Sequence, residues 1–307
     1  MNYLNRVYSL EFGRPLKKSL AFPFVEGTFE SDRGISLVLT EHRIFFSTIK
    51  TASTSINKTE IKIYNISPQS YGFLNASRGE EIYVKLDAGY ESIGLKTIVR
   101  GTISDIKDVF EGDTRVTTIG VKDGFTNSKE AYTNTAFLPE TPYIHIYDIL
   151  NRDLGLPNGI VIKPKGIAKA PWSFQGPTKE AFKKLAEETD STFSIQDQSI
   201  HFIPLKSQDL ITVQRFTPET GLIGSPTALD NTSDILQGSS DLPKVGIKFK
   251  VLLDGALIPN RLVKIESREY DGVFKIQKVT HTGDFRGNPW FTECEASQLS
   301  PFLEGEV

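Results

Sequence analysis

Cysteine, methionine and tryptophan are nearly missing from this sequence of 307 residues: Cys294 stands alone, beside one Met and two Trp. A single thiol excludes an internal disulfide framework and any multi-cysteine metal centre. Excess charge is missing too. A net charge of −3 leaves no basic footprint for gripping nucleic acid through its phosphates, so DNA is expected to pass by without specific binding. Nowhere do about 18 apolar residues follow one another, and no membrane insertion is expected. The opening MNYLNRVYSLEFGRP is broken by Arg6 and Glu11 before an apolar signal core is reached, which predicts a chain soluble at synthesis.

Catalytic signatures are also missing. His42, His145, His201 and His281 lie far apart, with no His-Glu-x-x-His pair and no Gly-x-Ser-x-Gly elbow. Gly221-Leu222-Ile223-Gly224-Ser225-Pro226 lacks the Lys-Ser/Thr ending and following helix of a phosphate loop, and Pro226 argues for a structural turn. His281-Thr282-Gly283-Asp284 is the tightest polar constellation. A histidine and a carboxylate so spaced can hold a metal or activate water, but a turn closed by an Asx hydrogen bond is the preferred reading. Two acidic pairs, Glu80-Glu81 and Glu187-Glu188, raise glycoside hydrolysis, yet neighbours on a strand point to opposite faces, so Glu80 and Glu81 cannot flank one bond. Trp172 and Trp290, beside Phe174 and Phe291, suit a carbohydrate platform less well than a core or interface. The assignment is therefore no catalytic, cofactor-binding or metal-ligating residue, and no cofactor.

What is present is β-forming. Twenty Phe and ten Tyr accompany abundant Val, Ile and Thr, and the length suits two or three domains of about 150 residues or fewer. Alternation predicts strands near 35–39, 60–66, 82–86, 97–103 and 115–121, with Ile61 and Ile63 on one face and Tyr64 and Ile66 on the other. Gly or Asp-Gly punctuation separates them at Arg78-Gly79, Glu111-Gly112-Asp113 and Asp123-Gly124. Ser67-Pro68 reads as a helix start, a capping hydroxyl followed by a first-turn proline. The segment 47–59 is rich in Ser, Thr, Lys and Asn and is expected to form a mobile hairpin tip.

The middle differs. Thr141-Pro142 opens a helix carrying Ile146, Ile149 and Leu150, stopped by Leu154-Gly155-Leu156-Pro157, and Ile160-Val161-Ile162 looks extended. Gly176-Pro177-Thr178 starts a second helix, whose Ala181, Phe182, Leu185 and Ala186 make one stripe. Lys179, Lys183, Lys184, Glu187 and Glu188 form its solvated face. The stretch 192–203 closes this part as a hairpin. Strands return at 246–253, 261–266, 272–280 and 290–296, with turns at Asp254-Gly255, Asp271-Gly272 and Gly287-Asn288-Pro289. The expected fold is mainly β with a small α/β middle domain: an N-terminal β-barrel over 1–139, a mixed domain over 140–206 and a C-terminal β-barrel over 207–307.

The run Asn57-Lys58-Thr59-Glu60-Ile61-Lys62-Ile63-Tyr64-Asn65-Ile66-Ser67 resembles the Asn-x-x-x-Ile-x-Ile-Tyr-Asn-Leu-Ser signature of baseplate hub proteins of contractile-tailed phages. Gly79-Glu80-Glu81-Ile82, Ala88-Gly89-Tyr90, Gly101-Thr102-Ile103 and the strand Arg115–Ile119 before Asp123-Gly124 follow in the order of that family. Phe174-Gln175-Gly176, Phe193-Ser194-Ile195-Gln196-Asp197, Thr220–Pro226, Gly272–Ile276 and His281–Asp284 extend the resemblance from about residue 30 to residue 297. Ile66 replaces the Leu of the signature, and Ala256 precedes Leu257–Asn260 where the family favours an Asn-Pro turn.

The resemblance implies a scaffold: two tail-tube-like β-barrels, separate and superposable, bracketing the mixed domain. As a homotrimer such a chain presents six barrels and joins a six-fold tail tube to a three-fold central spike, forming part of the conduit for DNA ejection. The implied partners are tail-tube protein, spike protein, tape measure and baseplate wedge, in a virion assembled in the bacterial cytoplasm. The rival readings are a cell-wall hydrolase and a carbohydrate-binding tail module.

Overall fold

The computed structural model describes residues 5–15, 28–31, 34–52, 57–75, 82–122, 131–204, 213–229 and 246–298. The chain divides into two compact units, one of Met1–Lys50, Lys58–Lys122 and Thr212–Val307, the other of Thr51–Asn57 and Asp123–Ile211.

The first unit begins with β1 (Arg6–Pro15), β2 (Thr28–Ser31), β3 (Gly34–Leu39), β4 (Ile44–Thr51), β5 (Lys58–Tyr64), helix α1 (Pro68–Asn75), β6 (Tyr83–Tyr90), β7 (Gly94–Glu111) and β8 (Thr114–Lys122). Alternation drives these strands. Thr59, Ile61 and Ile63 of β5 are buried while the residues between them are not. Asn65 then adopts a left-handed φ of 55°, a conformation Asn tolerates, and the kink turns Ile66 into the same core as Ile61 and Ile63. The expectation that Ile66 faces the other way is corrected by that turn. Ser67 Oγ accepts the Ser70 N–H at 3.0 Å, and α1 starts at Pro68 as its capping residues predict. Gly112-Asp113 closes the β7–β8 hairpin, with Glu111 opposite Thr114. The turn sites Arg78-Gly79 and Asp123-Gly124, and residues 53–56 of the expected hairpin tip, lie outside the described residues.

The same unit ends with β14 (Gln214–Phe216), β15 (Leu222–Ala228), β16 (Gly246–Leu252), β17 (Leu262–Glu266), β18 (Asp271–Asp284) and β19 (Trp290–Gln298); β9 to β13 belong to the other unit. Asp271-Gly272 is not a turn but the start of β18, with Asp271 paired to Glu266. The chain reverses at Ser267–Tyr270, where the Ser267 backbone and hydroxyl both bond Tyr270 O.

The two β-regions keep separate cores but not separate sheets. One core gathers Leu10, Phe12, Phe46, Ile61, Leu86 and their neighbours, and takes Leu253 and Trp290 from the C-terminal region; another gathers Phe216, Phe249, Val263, Phe274 and Cys294. A single hydrogen-bonded path runs β15-β16-β19-β18-β4-β5-β8-β7-β6-β1-β3-β2, with β17 on β18 and β14 parallel to β17. The link arises because β18 is 14 residues long and reaches β4, where the Phe285 N–H donates to Ile44 O at 2.9 Å. Among the described residues the path has two ends, β15 and β2.

The second unit contains β9 (Tyr132–Phe137), α2 (Tyr143–Leu154), β10 (Asn158–Val161), β11 (Trp172–Pro177), α3 (Thr178–Glu188), β12 (Ser191–Gln196) and β13 (Ser199–Pro204). Its helices follow the sequence pattern. Ile146, Tyr147, Leu150 and Leu154 of α2 are buried, and Gly155 ends the helix at φ 67° with its N–H on Asn151 O. On α3 the stripe Ala181, Phe182, Leu185 and Ala186 is buried, and Phe182 stacks on Phe193 with centroids 4.6 Å apart. Asp197 and Gln198, both at positive φ, supply the two-residue turn that a tight β12–β13 hairpin requires. The expected boundary at 139/140 is displaced, because β9 pairs with β11 from Tyr132↔Pro177 to Phe137↔Trp172 and so belongs to the mixed unit.

Candidate functional site

Two polar clusters hold the two β-regions of the first unit together, and each sits where the sequence shows only a turn. The first surrounds Asp284. Its carboxylate accepts Arg43 Nη2 at 2.8 Å and Arg43 Nε at 3.2 Å, and Oδ1 also takes the Arg286 N–H at 3.1 Å. That last bond spans two residues and is the Asx turn expected here. The Arg43 hydrogen bonds hold the Asp284 carboxyl below its usual range against the opposing effect of burial. Arg6 donates to the carbonyls of Asp284, Gly287 and Asn288 and lies over the Trp290 ring, 5.5 Å from its centroid.

The second cluster surrounds Asp254. Lys96 Nζ and Gln214 Nε2 each donate to its carboxylate at 2.9 Å, and the Ala256 N–H at 2.8 Å. Burial pushes Asp254 upward, but these bonds outweigh it and the carboxyl stays below its usual value. The cluster borders a cavity of about 180 Å³ whose walls include Tyr90, Ile93, Phe216 and Leu252.

His281 is placed apart from Asp284. Three residues along one strand put the two side chains on opposite faces; His281 Nδ1 lies 2.9 Å from Thr292 Oγ1 while Asp284 binds Arg43. Complete burial, with the Lys50 charge adding to it, pushes the imidazole down to about 3. The structure thus does not assemble the histidine and carboxylate that a metal or a general base would need. His201 Nδ1 accepts the Ile160 N–H at 3.2 Å, while His145 is exposed and His42 half-buried. Among the described residues no three His, Cys, Asp or Glu side chains gather to form a metal site.

Trp172 and Trp290 are 1% and 4% exposed, and neither offers a sugar a stacking face. Trp172 packs on Phe137 at 5.9 Å; Trp290 meets Phe46 edge-on at 5.5 Å and donates its Nε1–H to Gly89 O at 3.2 Å. Phe174 and Phe291 are half-buried beside them. Glu187 and Glu188 are exposed at the end of α3, and Glu80-Glu81 lies outside the described residues. Gly221–Pro226 leads into and along the edge strand β15, with left-handed glycines at φ 109° and 70° and a shift in register against β16, not into a helix.

Exposed apolar side chains mark surfaces instead. Val109 and Phe110, 54% and 68% exposed, crown the β7–β8 hairpin, and Leu138 and Ile167 lie open on the mixed unit.

With this geometry in hand, the solved structures supply the decisive likeness. The tail protein of Neisseria meningitidis MC58 superposes with a TM-score of 0.60 at 9% identity, over 95% of this chain and 96% of its own. The fold is that of phage tail proteins. A component of the type VI secretion system of Escherichia coli, described as similar to the bacteriophage T4 tail proteins gp27 and gp5, matches with a TM-score of 0.59 at 12% identity, over 85% of this chain and 74% of its own. The Francisella PdpA-VgrG complex matches with a TM-score of 0.59 at 9% identity, over 98% of this chain but 54% of the matched one. No family model matches the sequence, and no curated protein does.

In this chain the residues of the signature run serve packing. Its first residue, Asn57, belongs to the second unit, where Nδ2 donates to Gln196 Oε1 at 2.7 Å and to Ile195 O at 3.2 Å. Its alternating isoleucines fill the first core.

Proposed function

We propose that this chain is a non-catalytic structural hub of a phage tail baseplate, working as a homotrimer between a six-fold tail tube and a three-fold central spike. DNA passes through it during ejection without specific binding. Tail-tube and spike proteins are its direct partners, with the tape measure and baseplate wedge beyond, in a virion assembled in the bacterial cytoplasm. The observation that carries this reading is the end-to-end likeness to a tail protein, 95% of this chain on 96% of the other. The partial match to a longer VgrG-containing structure supports the spike side of the assignment.

The continuous strand path removes the basis for six-fold matching that two separate barrels, expected over 1–139 and 207–307, would supply. Two independent, superposable barrels would explain how three chains mimic six tube subunits, and a shared sheet removes that independence. Symmetry matching therefore rests on the likeness of the whole chain and on repeated contacts in a closed ring.

A carbohydrate-binding module built on Trp172 and Trp290 is disfavoured by the burial of both rings, and the hydrolase reading is left to direct assay. Native mass spectrometry of the chain co-expressed with the tube and spike proteins of its own tail tests the hub reading, with three copies per spike as the expected stoichiometry. Failure to join either partner, or clearing of cell-wall substrate in a zymogram, refutes it.

A further inference from the structure

An open β-sheet ends in strands whose outer backbone groups have no partner, and proteins guard such edges with short strands, proline, lysine or a break in register. Most edges here are guarded. Among the described residues β2 and β10 have four residues each and β14 has three. Strand β15 carries Pro226 and a register shift against β16. On β12 the Asn57 amide caps the Ile195 carbonyl, and on β11 Pro177 lacks a donor while Lys184 Nζ donates to Ser173 O at 2.9 Å.

The outer edge of β9 has no such guard. Its pairing with β11 is in unbroken register, and the strand contains neither proline nor a charged residue. The Thr178 N–H donates to Ala131 O at 3.0 Å, which fixes the phase of the ladder: Thr133, Thr135 and Phe137 bond β11, while the N–H and C=O of Tyr132, Asn134 and Ala136 point away from it. Pro177 fits this phase, because it stands opposite Tyr132, where no donor toward β9 is needed. Among the described residues no hydrogen bond takes up the outward backbone groups of β9. The side chains beside the edge are uncharged as well. Tyr132 is 58% exposed, Asn134 and Ala136 are exposed with it, and so are Ser173, Gln175 and Pro177 opposite them on β11. In a chain that is 24% charged, a ribbon face without one charge has the composition of an interface core. Six residues, roughly 20 Å of edge, match one incoming strand of equal length.

We propose that this edge receives an extended, uncharged segment of another tail protein as a third strand of the β9–β11 ribbon. The inference rests on the homotrimeric hub reading and gives it a surface for a partner other than a second copy. With the other described edges guarded, a second copy offers only its own β9; that pairing is two-fold, and a closed three-fold ring contains no two-fold axis.

Hydrogen exchange of the full chain, free and in assembled tails, tests the assignment. The Tyr132, Asn134 and Ala136 amides are expected to exchange fast in the free chain and slower by an order of magnitude or more in tails. Asn134→Pro removes one outward donor and spares the bonds to β11, since an edge tolerates proline; it should lose both this protection and incorporation into tails. Asn134→Ser, which keeps the backbone donor, should retain both. Thermal midpoints check folding, and Ala136→Lys, a charge at an exposed edge position, repeats the test if the proline variant melts early. Amides that stay fast in tails, or tails that take up Asn134→Pro and Ala136→Lys as readily as the wild type, overturn the edge assignment and leave the hub reading standing. Protection already present in the purified chain and abolished by Asn134→Pro puts a second copy on the edge and also overturns it. A chain absent from assembled tails overturns the hub reading, and this inference with it.

Discussion

Arg43 and Asp284, 241 residues apart, meet through two hydrogen bonds that close the seam between the N-terminal and C-terminal β-regions. Asp284 is nearly buried, with a side chain 9% exposed, while Arg43 is 46% exposed and also lies 4.6 Å from the centroid of the Tyr64 ring. The carboxylate sits on the turn whose three carbonyls Arg6 gathers, so one acidic group fixes both the turn and its docking onto β4.

Replacing that carboxylate tests the seam. Asp284→Asn should destabilise by about 1–2 kcal/mol, the lower part of the range for bonds to charged groups because Arg43 is half exposed. The folded-state pKa of Asp284 lies below its unfolded value, so its contribution is complete above about pH 4 and is lost as pH falls through the depressed value. Urea melts through that window should show a steeper acid loss in the wild type than in the variant. Parallel curves would remove Arg43 as the cause.

His281 acts in a different window. Folding holds its imidazole neutral down to about pH 3, whereas the unfolded chain takes up the proton near pH 6.5. Stability is therefore complete above about 6.5 and falls as pH drops toward the folded value, by at most roughly 1.4 kcal/mol per pH unit. His281→Gln should flatten the wild-type slope between about pH 6.5 and 4, where Asp284→Asn leaves it unchanged. A slope that survives His281→Gln would assign it to other groups.

In the mixed unit the core rests on Phe182. It is fully buried, stacks on Phe193 with planes 3° apart and meets Tyr147 edge-on at 5.6 Å. Phe182→Ala should cost about 3–5 kcal/mol, transfer and cavity terms together. A loss under about 1 kcal/mol would mean that α3 does not carry this packing.

The sequence made these two cases unequally visible. The stripe of Phe182 is legible because its contacts repeat every three to four residues along one helix, and Ile61 and Ile63 because a strand alternates. Arg43, Asp284, Lys96 and Asp254 leave no such trace, since their partners lie 158 to 241 residues away and a turn residue looks the same whether or not its carboxylate is engaged. Ile66 departs from the face that alternation predicts because one left-handed residue, Asn65, breaks the period. The ordered set of short motifs points to a phage-tail fold, whereas β9 falls across the expected boundary because its partner, β11, follows a whole helix later.

The conduit reading makes a final demand on charge. A bore lined with Lys and Arg would release counterions on contact and hold DNA with strongly salt-dependent affinity, which opposes ejection. The sequence carries 35 Lys and Arg against 38 Asp and Glu, close to balance. On the sheet face shared by β16, β19 and β18 that balance is built in locally: Lys248 pairs with Glu293 and Lys278 with Glu295, each at 2.9 Å, so these lysines meet carboxylates across the strands. Only one residue in two along a strand can face a lumen, and in the assembled trimer the acidic residues facing it should equal or outnumber the basic ones. The purified protein should then retain no double-stranded DNA at about 150 mM salt, where screening leaves only close contacts. A mobility shift at that salt, or a basic bore in the assembled ring, would return the chain to the nucleic-acid-binding class.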